Sequence, residues 1–299
     1  MQNFNTQPLS FPRSFRTWLA LVFLVLVAAC SSLKLAYNNG DTLLYWWLDN
    51  YVDFDGEQRD EVKKDIDNLF RWHRKTQLQD YVHVLQRAQQ QLRSDPTPAD
   101  LRADYDDIRA RTQSLLLKAA PDIADLALSL KPDQLVQMEK KFAKNNDKFR
   151  RENMKGNSDD QNAYRYKKSM EQFELWFGSF SREQKDIIRK ASDARPLDNQ
   201  IWLDERMRRQ RSILALARRI MQEKPSREQA IAQIQSLIRE SFTRLDNSER
   251  KPFFDAYTGS TIELVHTVVR IATPEQKAHA QKRMQGWIND FNALAAEAK

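Results

Sequence analysis

Glycine is scarce in this chain, at 6 of 299 residues, and there is one cysteine, Cys30. So little glycine argues against the many tight turns of a sandwich or barrel, and against glycine-rich phosphate loops. A lone cysteine excludes an intrachain disulfide framework and a cysteine-rich zinc site. Histidine is also rare: His73, His83, His266 and His279 are the four present. No HExxH, GxSxG, GxGxxG or Walker pattern occurs. His73 and His83 read as ten residues apart on one helix, about 15 Å, too far to share a metal. No metal or dissociable cofactor is expected. Period-two alternation is missing beyond Cys30, so no strand is expected either.

Long apolar runs are absent save one. Thr17–Ala29 (TWLALVFLVLVAA) is 13 residues long and follows a polar stretch carrying Arg13 and Arg16. A membrane span needs roughly 20 such residues, so this run has the length of a signal-peptide core instead. It ends Val27-Ala28-Ala29-Cys30. Small residues before cysteine resemble a lipobox, with Val27 where leucine is commoner. The expectation is that residues 1–29 are removed and that Cys30 carries diacylglyceryl and N-acyl (palmitate-type) lipid. No thiol then remains for catalysis, and two or three acyl chains make a stable anchor. Ser31, in place of aspartate, implies outer-membrane sorting in a Gram-negative cell, with the protein facing the periplasm. Lys and Arg number 48 against 41 Asp and Glu, a net charge of +7. Loss of Arg13 and Arg16 with the leader leaves about +5, mild for the length.

The rest reads as all-α: a multi-helix bundle or a helical-hairpin array, with residues 30–40 as a lipidated tether and 41–299 as one helical domain. Asp41 and Thr42 can cap a short helix ending at Asp49 or Asn50. Leu43, Leu44, Trp46, Trp47, Leu48, Tyr51 and Val52 make this region apolar and aromatic. It fits either a membrane interface, where Trp and Tyr are favoured, or the core. Asp41, Asp49, Asp53 and Asp55 replace the basic face of an interfacial helix, which favours the core. Val62, Ile66, Leu69, Phe70, Leu78, Val82, Leu85 and Leu92 then recur at threes and fours. They predict one long helix near residues 56–94, about 57 Å long. Asp95-Pro96-Thr97-Pro98 stops it and starts another, Ala99 to about Ala120. Further stripes continue to Leu294, and Gly156–Asp160 is a polar break between two antiparallel helices.

Five helices open on related tetrapeptides: Asp55–Gln58, Lys131–Gln134, Ser181–Gln184, Ser226–Gln229 and Thr273–Gln276. Phe54, Leu130 and Phe180 stand just before three of them. This is capping-box chemistry, in which the first side chain accepts from the N3 amide and the N3 glutamine reaches back. Proline at N1 and an acid at N2 suit a helix start. Lys131 departs from it, because its side chain cannot accept. The last four glutamines are spaced by 50, 45 and 47 residues, one helix pair each. Either the chain repeats, or good helix starts converge on this tetrapeptide.

Two resemblances follow. Ala36-Tyr37-Asn38-Asn39, then Leu44–Asp53 and Glu57-Gln58, resemble the opening of a proteobacterial lipoprotein family of unknown function, which implies no activity. The helix starts, Thr273–Gln276 above all, resemble the LTxxQ motif of small periplasmic helical chaperones. Ala272 stands where that motif has leucine, and this chain is much longer.

Charge clusters complete the reading. Asp104 and Asp107 share a helix face that Asp106 leaves, so a solvated face is expected. Lys141, Lys144 and Lys148 form a stripe, and Arg208 and Arg209 crowd another helix. Export excludes nucleic acid, so these residues are candidates for an anionic partner such as lipopolysaccharide headgroups or peptidoglycan carboxylates. The expected function is a non-enzymatic binding or structural component of the cell envelope. The alternatives are a holdase for unfolded envelope proteins and a cell-wall hydrolase, whose carboxylates would be defined by spatial separation.

Overall fold

The computed structural model describes residues 33–243 and 248–297, and among them there are helices and no strand. A short α1 (33–38) leads into α2 (Gly40–Val52), α3 (Gly56–Thr76), α4 (Leu78–Arg93), α5 (Pro98–Ser129) and α6 (Pro132–Asn153). Then come α7 (Ser158–Phe177), α8 (Arg182–Asp193), α9 (Asn199–Glu223), α10 (Arg227–Thr243), α11 (Lys251–Ile271) and α12 (Pro274–Ala296). The all-α expectation holds.

Four of the five related tetrapeptides meet in two pairs. At the α2–α3 and α5–α6 corners, Gln58 Nε2 donates to Gln134 Oε1 (3.1 Å) and Gln134 Nε2 donates back to Gln58 Oε1 (2.6 Å). Each amide also donates to the carbonyl two residues before the other helix's cap: Gln58 to Ser129 O (2.9 Å), Gln134 to Asp53 O (3.1 Å). Each side-chain oxygen accepts from its own cap amide, Asp55 N at 3.2 Å and Lys131 N at 3.0 Å. The α7–α8 and α11–α12 corners repeat the scheme. Gln184 and Gln276 exchange bonds of 2.8 and 3.1 Å and donate to Ile271 O and Ser179 O. Ser181 N and Thr273 N complete it.

Packing follows the same correspondence. The contacts α2·α3, α2·α6 and α3·α5 match α7·α8, α7·α12 and α8·α11. Phe54 and Leu130 enter the first core with Tyr45, Val52, Val62, Ile66 and Leu135. Phe180 enters the second with Met170, Ile188, Leu264 and Val268. The repeat is therefore two corner pairs, joined across 76 and 92 residues, and not an array with a fixed period. The fifth glutamine, Gln229, makes the cap bonds with Ser226, and among the described residues no glutamine is bonded opposite it. Lys131, which cannot cap, bridges instead to Asp55 at 2.7 Å. That ammonium and the Gln58 amide, the larger influence, hold the Asp55 carboxyl below the usual range.

Three expectations change. The single helix near 56–94 is two, α3 and α4, with a turn at Gln77. The Thr76 hydroxyl donates back to Trp72 O (2.8 Å), a bond that competes with the ladder and bends helices. The break sends α3 against α2 and α5 and α4 against α12. The helix expected to end near Ala120 runs to Ser129, through Pro121. Ala120 and Ala124, both fully buried, let α9 with Ile220 and α10 with Ala230 and Ile234 approach closely there. Part of the expected tether, from residue 33, is helical. Tyr37 packs on Phe70, its hydroxyl 2.8 Å from His73 Nδ1. Gly40 lies so close to the Phe70 ring that a Cβ would overlap it.

Asp65 on α3 lies near Asp122 and Asp125 of α5. Burial, then Asp122, Glu61 and Asp125, push its carboxyl up to about 6. A raised carboxyl pKa means the folded chain holds the proton more tightly than the unfolded one. The contribution of Asp65 to stability is then most favourable below about pH 4 and falls as pH rises to about 6. Asp65→Asn is expected to stabilise at pH 7.5 by about 1 kcal/mol after discounting for solvent contact, or about 2–4 °C in Tm, and far less at pH 4. An equal gain at both pH values in thermal melts would contradict this.

Gln134→Ala leaves buried partners unpaired and is expected to cost about 2–3 kcal/mol. Gln229→Ala, with only cap bonds to lose, should cost about 0.5–1 kcal/mol. Equal losses in urea titrations would argue against the clamp.

Candidate functional site

The expected basic stripe is occupied by its own neighbours. On α6, Lys141 bonds Asn50 and lies over the Tyr51 ring at 5.5 Å. Lys148 pairs with Glu152 at 3.8 Å. On the adjoining α9, Arg208 pairs with Glu205 (2.7 Å) and Arg209 approaches the same carboxylate (3.7 Å). Lys144 is exposed. The residues share neighbouring helices, and two carboxylates, Glu152 and Glu205, offset part of their charge in place. The acidic face of α5 is likewise bridged: Arg87 of α4 binds both Asp104 and Asp107, and Arg111 joins Asp107.

Positive charge without a carboxylate partner also gathers at a second place. A cleft of about 250 Å³ opens where α6, α7, the α8–α9 connection, α9 and α11 meet. Tyr164, Arg165 and Lys168 of α7 form one side, Trp202 and Tyr257 another, and Asn153, Gln161 and Asn199 supply amides. Arg165 reaches past this wall to the C-terminal end of α8. It donates to Pro196 O (2.8 Å), Ser192 O (3.2 Å) and Arg195 O (3.0 Å), and to Asn162 Oδ1 (2.7 Å). Arg195 is 6% exposed. It donates to Ser192 Oγ (2.8 Å), Ser169 Oγ (3.1 Å) and Ser192 O (3.2 Å).

Two guanidinium groups thus share one helix end, and neither has a carboxylate within ion-pair distance among the described residues. Cations at a helix C-terminus are favoured by its dipole and satisfy carbonyls left open by the last turn. That effect is partial. Burial pulls the affinity of Arg165 for its proton below the ordinary arginine value, and the charge of Arg195 adds to this; burial alone does so for Arg195. The nearby Asp193 carboxylate is held by Arg189 at 2.7 Å. Arg165 Nε is buried with no hydrogen-bond partner. Lys168 stands at the rim, paired to Glu171 (2.8 Å) and 5.8 Å from the Tyr164 ring. The acid on the wall, Asp198, accepts from Ile201 N at 3.0 Å to cap α9. Such a cleft suits one carboxylate or phosphate on a body that can lie against aromatic rings.

Neither arginine stood out in the sequence. Their only local signals were Arg195 before Pro196, a common helix ending, and Arg165 between two tyrosines.

The aromatic helix α2 is divided. Tyr45 and Val52 are buried, with Leu44, Leu48 and Tyr51 packed beside them. Leu43, Trp46 and Trp47 are 53%, 62% and 57% exposed, and Leu35 of α1 is 64% exposed. The core reading of this helix holds for one face only. Val27, Ala28, Ala29, Cys30 and Ser31 lie outside the described residues. Among the described residues, no helix is long and apolar enough to cross a membrane, and no group of three His, Cys, Asp or Glu could hold a metal ion.

No curated protein and no solved structure was found to match this chain. A model for a family of unknown function, DUF6279, matches residues 50–242. The matched span takes in the first glutamine pair, Gln184 and every cleft residue except Tyr257. With more than half of its length matched, the chain belongs to the DUF6279 family of unknown function.

Proposed function

We propose that this protein is a lipoprotein anchored through Cys30 to the outer membrane and facing the periplasm, where it binds an anionic envelope polymer without catalysing a reaction. The anchor reading rests on the apolar run and the Val27–Cys30 ending. The binding reading rests on one observation: Arg165 and Arg195 share a helix end beside a cleft and have no carboxylate partner. A buried and a partly buried guanidinium side by side are costly, and an incoming carboxylate or phosphate relieves that cost. Aromatic walls beside the guanidinium suit a sugar that carries the acidic group. Peptidoglycan supplies such carboxylates, and lipopolysaccharide supplies such phosphates. The site differs from the one expected from Lys141, Lys144, Lys148, Arg208 and Arg209, while the partner chemistry is the same.

The holdase alternative draws on the LTxxQ-like helix starts. In this chain those glutamines are spent on each other and on backbone carbonyls, which gives them a structural task without a client.

Expected results are as follows. Wild type incorporates labelled palmitate in a Gram-negative host, and Cys30→Ala does not. The chain is expected to co-sediment with isolated peptidoglycan or to bind lipopolysaccharide, more weakly as salt rises. Arg165→Gln should weaken that binding about tenfold through loss of one positive charge beside the cleft, with melting curves run alongside to separate unfolding. Lys168→Gln should weaken it less. Lys144→Gln and Arg209→Gln should leave it unchanged. Loss on the second pair and not the first would return the site to the α6–α9 surface.

A further inference from the structure

The exposed side of α1 and α2 is an apolar face that the fold leaves uncovered. Leu35, Leu43, Trp46 and Trp47 are each more than half exposed. Asn39 interrupts the two helices only slightly. Its amide bonds Leu35 O (3.2 Å), and Leu43 N bonds Asn39 O (3.0 Å), so helical spacing carries through. Steps of eight, three and four residues then bring all four side chains to one broad side.

This side cannot roll inward. Tyr37 is held by Phe70 and His73, Gly40 lies against Phe70, and Tyr45 and Val52 are buried in the first core. Trp47 rests against Tyr51 at 4.9 Å between ring centres. Tyr51 is in turn held by Asn145, which donates to its hydroxyl at 2.7 Å. The indoles are therefore presented on a fixed support.

We infer that Leu35, Leu43, Trp46 and Trp47 seat in the interfacial layer of the same bilayer leaflet that the Cys30 acyl chains enter. The inference rests on the lipid-anchor reading of Cys30. Four residues lie between Cys30 and Leu35, so the two are at most about 18 Å apart even along fully extended chain. The stripe is therefore within reach of the surface from the moment the anchor inserts. Tryptophan is the side chain most favoured at that depth, because its ring is apolar and its N–H stays wet. Four side chains are also few against the 20–30 residues that each partner of a stable protein interface contributes.

Charge around the stripe selects the lipid. Asp41, Asp49 and Asp53 flank it, and Lys63 and Lys141 lie over Tyr45 and Tyr51 on the supporting side. Lys34 is paired to Glu297. The acids oppose a strongly anionic surface, so the fitting partner is a leaflet of zwitterionic headgroups. The acyl chains supply attachment, and the stripe fixes which way the rest of the chain points.

The test uses the full-length protein purified from membranes and reconstituted into phosphatidylethanolamine–phosphatidylcholine vesicles, with and without brominated acyl chains. Brominated lipid is expected to quench tryptophan emission, and Trp46→Phe/Trp47→Phe should lose at least half of that quenching while staying vesicle-bound. Both replaced residues are exposed, so melting curves should match wild type. Mass spectrometry of the same samples reads the lipid on Cys30. Lipidated protein whose quenching is absent, or unchanged by the double substitution, overturns the docking inference alone. Protein without lipid on Cys30 overturns the anchor reading and the inference with it.

Discussion

Two glutamine amides facing each other inside a helical protein are expensive unless every donor and acceptor is used. Here each oxygen accepts from its own cap and from its partner, and each nitrogen donates twice. That double role explains why the N3 residue is glutamine at the four paired corners. Glutamate is an equally good capping-box residue, but it has no N–H to donate. At the starts of α5 and α7, where no such partner is described, the N3 residue is aspartate.

The clamps decide what reaches the surface. The pairing of Gln58 with Gln134 pins the end of α2 against α6. Tyr45 and Val52 then face the core, and Trp46 and Trp47 are left outside. The pairing of Gln184 with Gln276 fixes the start of α8 and so its far end. There Arg165 and Arg195 gather open carbonyls and bring positive charge to a cleft. Arginines in this role are stabilised by the helix dipole and by hydrogen bonds, and among the described residues neither is in an ion pair. The two faces with functional promise are thus consequences of two equivalent joints.

Much of this architecture was legible. Periodic stripes marked the helices, and the tetrapeptides marked five starts, because caps are local chemistry. The apolar residues before three of the caps, Phe54, Leu130 and Phe180, were visible too, and each is buried. The pairing of those starts was not legible, since partners stand 76 and 92 residues apart and no local signal encodes them. The turn at Gln77 escaped notice because the apolar period runs straight through it. The helix was expected to end at about Ala120, but alanine packing at Ala120 and Ala124 carries it through Pro121 to Ser129. The basic stripe was visible as composition, but Glu205, Glu152 and Asn50 decide how much of its charge is free. The arginine cleft draws on five separate segments, which no spacing rule unites.

A double-mutant cycle tests the two-joint architecture most directly. Gln184→Ala and Gln276→Ala, alone and together, are expected to show a coupling of about 1–3 kcal/mol in urea unfolding, as contacting residues in one network do. Gln58→Ala combined with Gln276→Ala, across the two joints, should be additive within about 0.5 kcal/mol. Additivity between Gln184 and Gln276 would contradict the clamp and, with it, the claim that this fold is built on two equivalent corners.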